Sequence, residues 1–468
     1  MSELTIVLFN NELRIHDNPA LYRASEEGRV IPVYIKNEAH KNMSAKNSWI
    51  NANLRCLKAT FDNHGVSFNY FLGNRIERVI ELIKETQATQ VYWNIGLTKE
   101  EREADFLLEN ACLDIGVTYK GFNASTIYKL KKILNKQNEH YKVFTPFYKK
   151  TLTEFNILPL QNPTLTKHQL NIKNDNNLLD EVQPNWAKKI NSYWDAGEEA
   201  ALDKLEAFID DGLNDYSRGR DYPEASKVSK LSPYLAVGSI SPRLIYARLN
   251  NPENNLTNEV EAYLRQLIWR EFSIYTLIHE PDFPVKSLRE NYDAFPWLND
   301  SDSFEAWKKG ETGYPFVDAG MRELYETGYM HNRTRMVVGS FLVKHLLVDW
   351  RWGYNWFKET LIDFDTANNA MGWQWVSGSG IDSSPYFRIF NPITQGEKFD
   401  AKAVYIKHHK PELARLPHKK IHQLFNEPQE ILMIANIELG KNYPYPIVDH
   451  KTARNRALEA YEKIKNKK

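Results

Sequence analysis

The residue types best suited to chemistry gather in one stretch, Asp363 to Pro392, reading DFDTANNAMGWQWVSGSGIDSSPYFRIFNP. It holds two nearby carboxylates (Asp363, Asp365), the pair Asn368 and Asn369, two tryptophans separated by one residue, and a Gly/Ser-rich loop. An aromatic and arginine run from Tyr386 to Asn391 follows. Apolar packing alone does not ask for this mixture. A pocket for a large, flat aromatic ligand with polar edges does, because such a ligand needs apolar walls and a few placed hydrogen-bonding groups.

Those residues need elements to hold them. Residues 1–125 alternate short apolar runs with amphipathic segments. Candidate strands are Leu4–Phe9, Val30–Ile35, Phe68–Leu72, Val91–Trp93 and Val117–Gly121. Helix-like segments lie between them at Ala20–Glu27, Asn51–His64, Arg75–Thr86 and Lys99–Leu113. That alternation predicts an α/β domain over 1–125, an open parallel, Rossmann-like sheet with helices on both faces. Its first strand-to-helix turn, FNNELRIHDNPAL, lacks GxGxxG, which argues against NAD there. Residues 126–199 are Lys- and Asn-rich in places, with Pro146, Pro159, Pro163 and Pro184, and read as a long connector crossing the surface. Residues 200–468 lose the strand signal, and their helical patterns predict an all-α domain.

Formal net charge is zero, from 60 basic and 60 acidic side chains, so a nucleic-acid contact must rest on a local basic patch. Cys56 and Cys112 are the two cysteines; they have no metal or redox spacing, so no metal is expected and reduced thiols in a cytoplasmic protein are. The start has no signal-peptide pattern, and no run approaches a membrane span. The 12 tryptophans point to stacking or redox work beside packing, since an indole N–H is costly to bury without a partner.

The 363–392 run resembles the flavin-binding signature of the DNA photolyase and cryptochrome family. Further runs carry the likeness: YSRGRDYP (216–223), KLSPYLAVGSISPR (230–243), QLIWREF (266–272), GYPFVDAGMREL (313–324) and MHNRTRM (330–336). Within the family the chain looks most like bacterial class I enzymes for cyclobutane pyrimidine dimers. The resemblance implies FAD in an all-α FAD-binding domain. Ser229, Leu231 and Ser232 match the loop that wraps the diphosphate in relatives, Arg270 a residue near the phosphates, and Tyr216 an aromatic that contacts the cofactor. Asn332, Arg335, Asp363, Asp365 and Asn369 match the isoalloxazine end, with Asn369 facing flavin N5. A neutral amide there tolerates a reduced, anionic flavin better than a carboxylate, which favours repair over signalling.

Trp373, Trp350 and Trp297 match the family triad that carries electrons from the surface to the flavin. For the lesion pocket the matches are Gln266, Trp269, Arg333, Met336 and Trp375. Asn332, Arg333 and Met336 resemble enzymes acting on cyclobutane dimers, whereas (6-4) enzymes and animal cryptochromes carry a His pair and this run has His331 alone. Gln266 departs from the Glu of many dimer photolyases: it donates a hydrogen bond but cannot buffer a proton. The segments 40–54 and 94–105 resemble an antenna site for a folate (methenyltetrahydrofolate) or a deazaflavin, with Glu101 matching a pterin-binding Glu and His40 near a family His. Glu100 and Asn10 depart from the usual Asn and Arg. The expectation is therefore light-driven repair of damaged DNA by a monomer without an obligate protein partner, with a cryptochrome-like photoreceptor or (6-4) repair as alternatives.

Overall fold

Strand β1 (Glu3–Phe9) is the sheet's centre, and its sequence ELTIVLF is buried from its second residue to its last. A parallel strand covered on both faces must read this way, as a nearly continuous apolar run. In the computed structural model it pairs in parallel with β2 (Gly28–Lys36) and β4 (Gln90–Asn94), so that Ile6 sits opposite Ile31 and Val91. With β3 (Asn69–Leu72) and β5 (Thr118–Phe122) the order is β3-β2-β1-β4-β5. The expected parallel α/β sheet is thus present. The structure describes residues 3–37, 44–153, 158–168, 170–180, 183–225, 227–250, 257–383, 385–386 and 388–465.

Local chemistry sets the helix starts. In α1 (Pro19–Glu27) Asn18 caps the helix and Pro19 takes the first position, where its missing N–H costs nothing. Helix α2 (Ala45–Asn63) begins six residues before the expected Asn51, because Ser44 accepts the Asn47 N–H and starts it early. Helix α3 (Arg75–Thr86) is capped by Asn74, and α4 (Lys99–Asp114) by a Thr98–Glu101 capping box.

Contacts divide the chain into two units, Met1–Leu213 with Ser229–Pro281, and Asn214–Val228 with Asp282–Lys468. The first unit is tied by a buried polar knot just after β1. Arg14 is 1% exposed and donates to the carbonyls of His16, Asp17, Ala124 and Gly238 at 2.9–3.0 Å. Asp17 in turn takes a two-pronged contact from Arg243, at 2.9 and 3.0 Å. A buried guanidinium is tolerable because its N–H groups find acceptors. Part of the stretch expected to cross the surface is core instead. Helix α5 (Phe144–Thr151) buries Phe144 and Phe147 against α6 (Asn258–His279), where Phe147 lies 5.2 Å from Phe272.

The named elements of the second unit are helices. The three that matter most are α7 (Asn332–Ser340), α8 (Trp350–Thr360) and α9 (Thr366–Ser377). Helices α8 and α9 approach closely because Gly353 has no side chain; a Cβ there would lie 2.1 Å from the Trp373 ring. Among the described residues no helix is long and apolar enough to cross a membrane.

A π-turn, Phe341–His345, follows α7 and buries Lys344, whose Nζ donates to the Arg388 carbonyl at 2.8 Å. Burial lowers its pKa from 10.5 to about 7. The unfolded chain then holds this proton across that window while the folded chain releases it, so stability rises as pH climbs from about 7 toward 10.5. We predict that Lys344→Met raises stability by roughly 1–2 kcal/mol at neutral pH and flattens this rise. Urea unfolding of both proteins at several pH values tests it; equal slopes against pH would refute the assignment.

Candidate functional site

Helix α9 is packed on every side but one. Ala367, Ala370, Met371, Trp373, Gln374, Val376 and Ser377 are buried. Asp365, Asn368, Asn369 and Trp375 are half-buried and Gly372 is exposed. Positions 365, 368, 369, 372 and 375 recur every three or four residues, so they line one face of the helix. A Cβ on Gly372 would meet nothing within 4 Å. This face thus offers a carboxylate, two amides, a flat gap and an indole. Asp365 is also the helix cap, accepting from the Asn368 backbone N–H and from Asn368 Nδ2, both at 2.7 Å. Asn369 Nδ2 donates to the Tyr354 carbonyl at 3.2 Å, which leaves Oδ1 to accept a ligand N–H.

The loop before α9 is pinned to α7. Arg335 Nη2 donates to Asp363 Oδ2 at 2.7 Å and Nε to the Met330 carbonyl at 2.6 Å. The guanidinium lies 5.2 Å from the Tyr329 ring centre. Asp363 is buried, and its Arg partner keeps that from stranding a charge. On α7, Asn332 is exposed and Met336 half-buried one turn later, with Asn332 Nδ2 3.9 Å from Met336 Sδ. Arg333 is already engaged: Nη2 donates to Asp221 Oδ1 at 2.7 Å and the guanidinium sits 4.1 Å over Phe399. Tyr216 is buried, with the Arg220 guanidinium 5.5 Å over its ring, and burial pushes its phenol up.

Trp373 on α9 packs edge-on against Phe357 at 5.0 Å and Trp307 at 6.2 Å. Trp350 opens α8 and is fully buried. Neither indole N–H has an acceptor among the described residues. Trp297 is half-buried beside Phe295 at 4.3 Å. Its loop is tied to the start of α8, since Leu298 N–H donates to the Leu347 carbonyl and Asp349 N–H to Asn299 Oδ1, each at 2.8 Å.

In the first unit, α6 carries Gln266, Trp269 and Arg270 on a half-buried stripe. Phe144 stacks flat on Trp269, ring centres 3.6 Å apart and 5° from parallel. One face of Trp269 is therefore covered, and a ligand ring can meet only the other. Gln266 Nε2 lies 3.4 Å from the Ala262 carbonyl. Arg270 Nη1 donates to the Ser125 carbonyl at 2.9 Å and pairs with Glu271 at 3.2 Å. Ser229 Oγ accepts from the Tyr263 hydroxyl at 3.0 Å and from Leu231 N–H at 3.3 Å, while Leu231 is buried and Ser232, opening the next short helix, is exposed.

Glu101 is occupied locally. Its Oε2 accepts from Leu97 and Thr98 N–H and its Oε1 from Asn11 Nδ2 at 2.7 Å. His40 lies outside the described residues. Phe144, Asp221, Phe399 and Gly372 are the contributors that sequence reasoning missed. Gly372 alone had a signal, the three-and-four spacing of the α9 face.

Two family models match the chain, DNA photolyase over residues 5–165 and the FAD binding domain of DNA photolyase over 263–463. The deoxyribodipyrimidine photo-lyase of Agrobacterium fabrum is 42% identical, with 98% of each chain covered. A crystal structure of a bacterial class III photolyase from Agrobacterium tumefaciens is similar at a TM-score of 0.95 and 41% identity, covering 99% of this chain and 98% of that one. A Synechocystis cryptochrome structure follows at 0.88 and 28% identity, covering 98% and 99%. The class I subdivision expected from the motifs gains no support from a neighbour described as class III, and it is not carried forward.

The open face of α9 makes a test possible. Gly372→Leu should keep or slightly raise the stability of the flavin-free chain, since leaving glycine in a helix gains about 0.5–1 kcal/mol. The same side chain should fill the gap and sharply reduce flavin recovered from purified protein. Full flavin content in this variant would show that the ligand lies elsewhere.

Proposed function

Because the chain belongs to the DNA photolyase and cryptochrome family, we propose that it is a deoxyribodipyrimidine photo-lyase that repairs cyclobutane pyrimidine dimers with light and reduced FAD. The observation that carries this reading is the open α9 face beside the Arg335–Asp363 pair, a wall with the polar groups a flavin ring edge requires. The chemistry supplied by bound reduced FAD is light-driven donation of one electron to the dimer and its recovery after the cyclobutane ring opens.

The chain's own residues then have distinct tasks. Asn369, its amide fixed by the Tyr354 carbonyl, holds an acceptor toward the flavin edge. Asp365, Asn332, Arg335 and Asp363 hold the same ring system, and Tyr216, Ser229, Leu231, Ser232 and Arg270 serve the remainder of the cofactor. Trp269, stiffened by Phe144, and Trp375 stack the flipped bases, at about 1–3 kcal/mol per stacked base. Met336 and Gln266 line the lesion pocket, and Arg333 reaches a phosphate.

Trp373, Trp350 and Trp297 carry electrons inward for photoreduction. With no acceptor among the described residues for the indole N–H of Trp373 or Trp350, an oxidised ring at either keeps its proton; half-buried Trp297 can lose one to water. For a folate or deazaflavin antenna Glu101 would act through Oε1, which keeps a second lone pair beside its contact with Asn11 Nδ2, while Oε2 caps α4.

Chemically reduced protein, illuminated with ultraviolet-treated oligothymidine, should remove dimers; activity confined to (6-4) lesions would overturn the lesion assignment. Activity on neither lesion would favour the photoreceptor reading, which the Synechocystis cryptochrome likeness keeps as the alternative. Trp373→Phe should lose most light-driven reduction of oxidised flavin yet repair normally once pre-reduced. Unchanged photoreduction would make Trp373 core filler.

A further inference from the structure

We propose that Asp221 is a built-in counter-ion, holding Arg333 ready for a nucleic-acid phosphate and giving way when that phosphate arrives. The inference rests on the DNA-repair reading, which supplies the polyanion. Arg333 is braced on two sides, by Asp221 Oδ1 at 2.7 Å and by the Phe399 ring at 4.1 Å. Tyr222, next to Asp221, meets the same ring edge-on at 6.0 Å, so Phe399 fixes both halves of the ion pair.

The halves differ in exposure. The Arg333 side chain is 16% exposed and that of Asp221 40%. Arg333 Nε is buried and has no acceptor among the described residues. Asp221 is therefore the outer, wetter partner, and an incoming anion meets the carboxylate before it meets the guanidinium. Cations lie nearby: Arg220 lies over Tyr216 at 5.5 Å, and the exposed Lys398 places Nζ 5.1 Å from the Phe399 ring. Burial lowers the His331 pKa to about 3, so it adds no charge. Asp400 is buried and faces inward, accepting the backbone N–H groups of Tyr405 and Ile406.

Arg220 and Lys398 thus add positive charge beside the pair, while the exposed carboxylates of Glu224 and Glu397 lie on the same two segments. A partly exposed pair of this kind is weakly held, and a backbone phosphodiester offers the guanidinium the same two-oxygen acceptor with the same single charge, reinforced by the neighbouring phosphates of the polyanion. The carboxylate keeps Arg333 extended over Phe399 and in the meantime lowers the pull on any loosely docked polyanion.

The test is the salt dependence of binding to an undamaged duplex oligonucleotide, by fluorescence anisotropy with the full-length protein. Asp221→Asn should bind about fivefold tighter, with the slope of log affinity against log salt steeper by about one contact. Asp221→Glu should stay near wild type, and the gain should vanish when Arg333→Ala is combined with Asp221→Asn. If Asp221 merely positions Arg333, Asp221→Asn will instead weaken binding; weaker or unchanged binding overturns the proposal. Asp221→Ser, read the same way, decides the matter should the Asn protein not fold. Wild-type protein that binds no DNA at low salt sinks the repair reading and this inference with it. Wild-type binding without the gain in the variant sinks the inference alone.

Discussion

The candidate site depends on one ion pair, a buried carboxylate held by a half-buried guanidinium. Arg335 joins the start of α7 to the loop that launches α9, and it does so with Nη2 on Asp363 and Nε on the Met330 carbonyl. Two separate stretches of chain, 330–335 and 363–365, thereby share one rigid guanidinium. A lysine could not do this, because a single ammonium lacks the planar fork that spans both acceptors. Once Asp363 is fixed, Asp365 two residues on is positioned to cap α9, and the cap sets the rotation of that helix. The face that α9 leaves open follows from that rotation.

The pair also sets a cost that the rest of the unit must respect. The buried Asp363 carboxylate is stable only beside the half-buried Arg335 guanidinium, so the arginine cannot be traded away without stranding a charge. The same logic recurs in the first unit, where Arg14 spends its donors on backbone carbonyls and Asp17 holds Arg243. In both units ion-paired or hydrogen-bonded polar groups lie where chain segments distant in sequence meet, and the apolar core fills in around them.

Much of this was legible in the sequence, and the failures have physical reasons. The central strand of the sheet is visible because a parallel strand buried on both faces is apolar nearly throughout; β1 reads ELTIVLF, with Thr5 its one buried polar residue. Phe144 is hidden because its short apolar run, VFTPFY, is broken by Pro146 and bounded by Lys142, Lys149 and Lys150, and the polar flanks outweigh the few apolar residues that decide burial. Glu101 serves the capping box that Thr98, three residues earlier, announces, beside the ligand role its family likeness implies. The carboxylate that engages Arg333, Asp221, lies 112 residues away in sequence, and no local pattern announces such a pair. Residues gathered by helical spacing, such as the α9 face, were within reach; residues gathered by folding were not.

The missing side chain at Gly353 has a consequence for whatever the neighbouring indole does. Trp373 fills the space a Cβ would take, with Phe357 and Trp307 edge-on around it. A ring wedged against backbone in this way has no room to tilt or slide. Should it gain or lose an electron, its surroundings cannot answer by moving, and the response is left to polarisation of neighbouring rings and to distant water. Charge movement through such a residue carries a small reorganisation energy, and that property is bought by an absent atom on the adjacent helix.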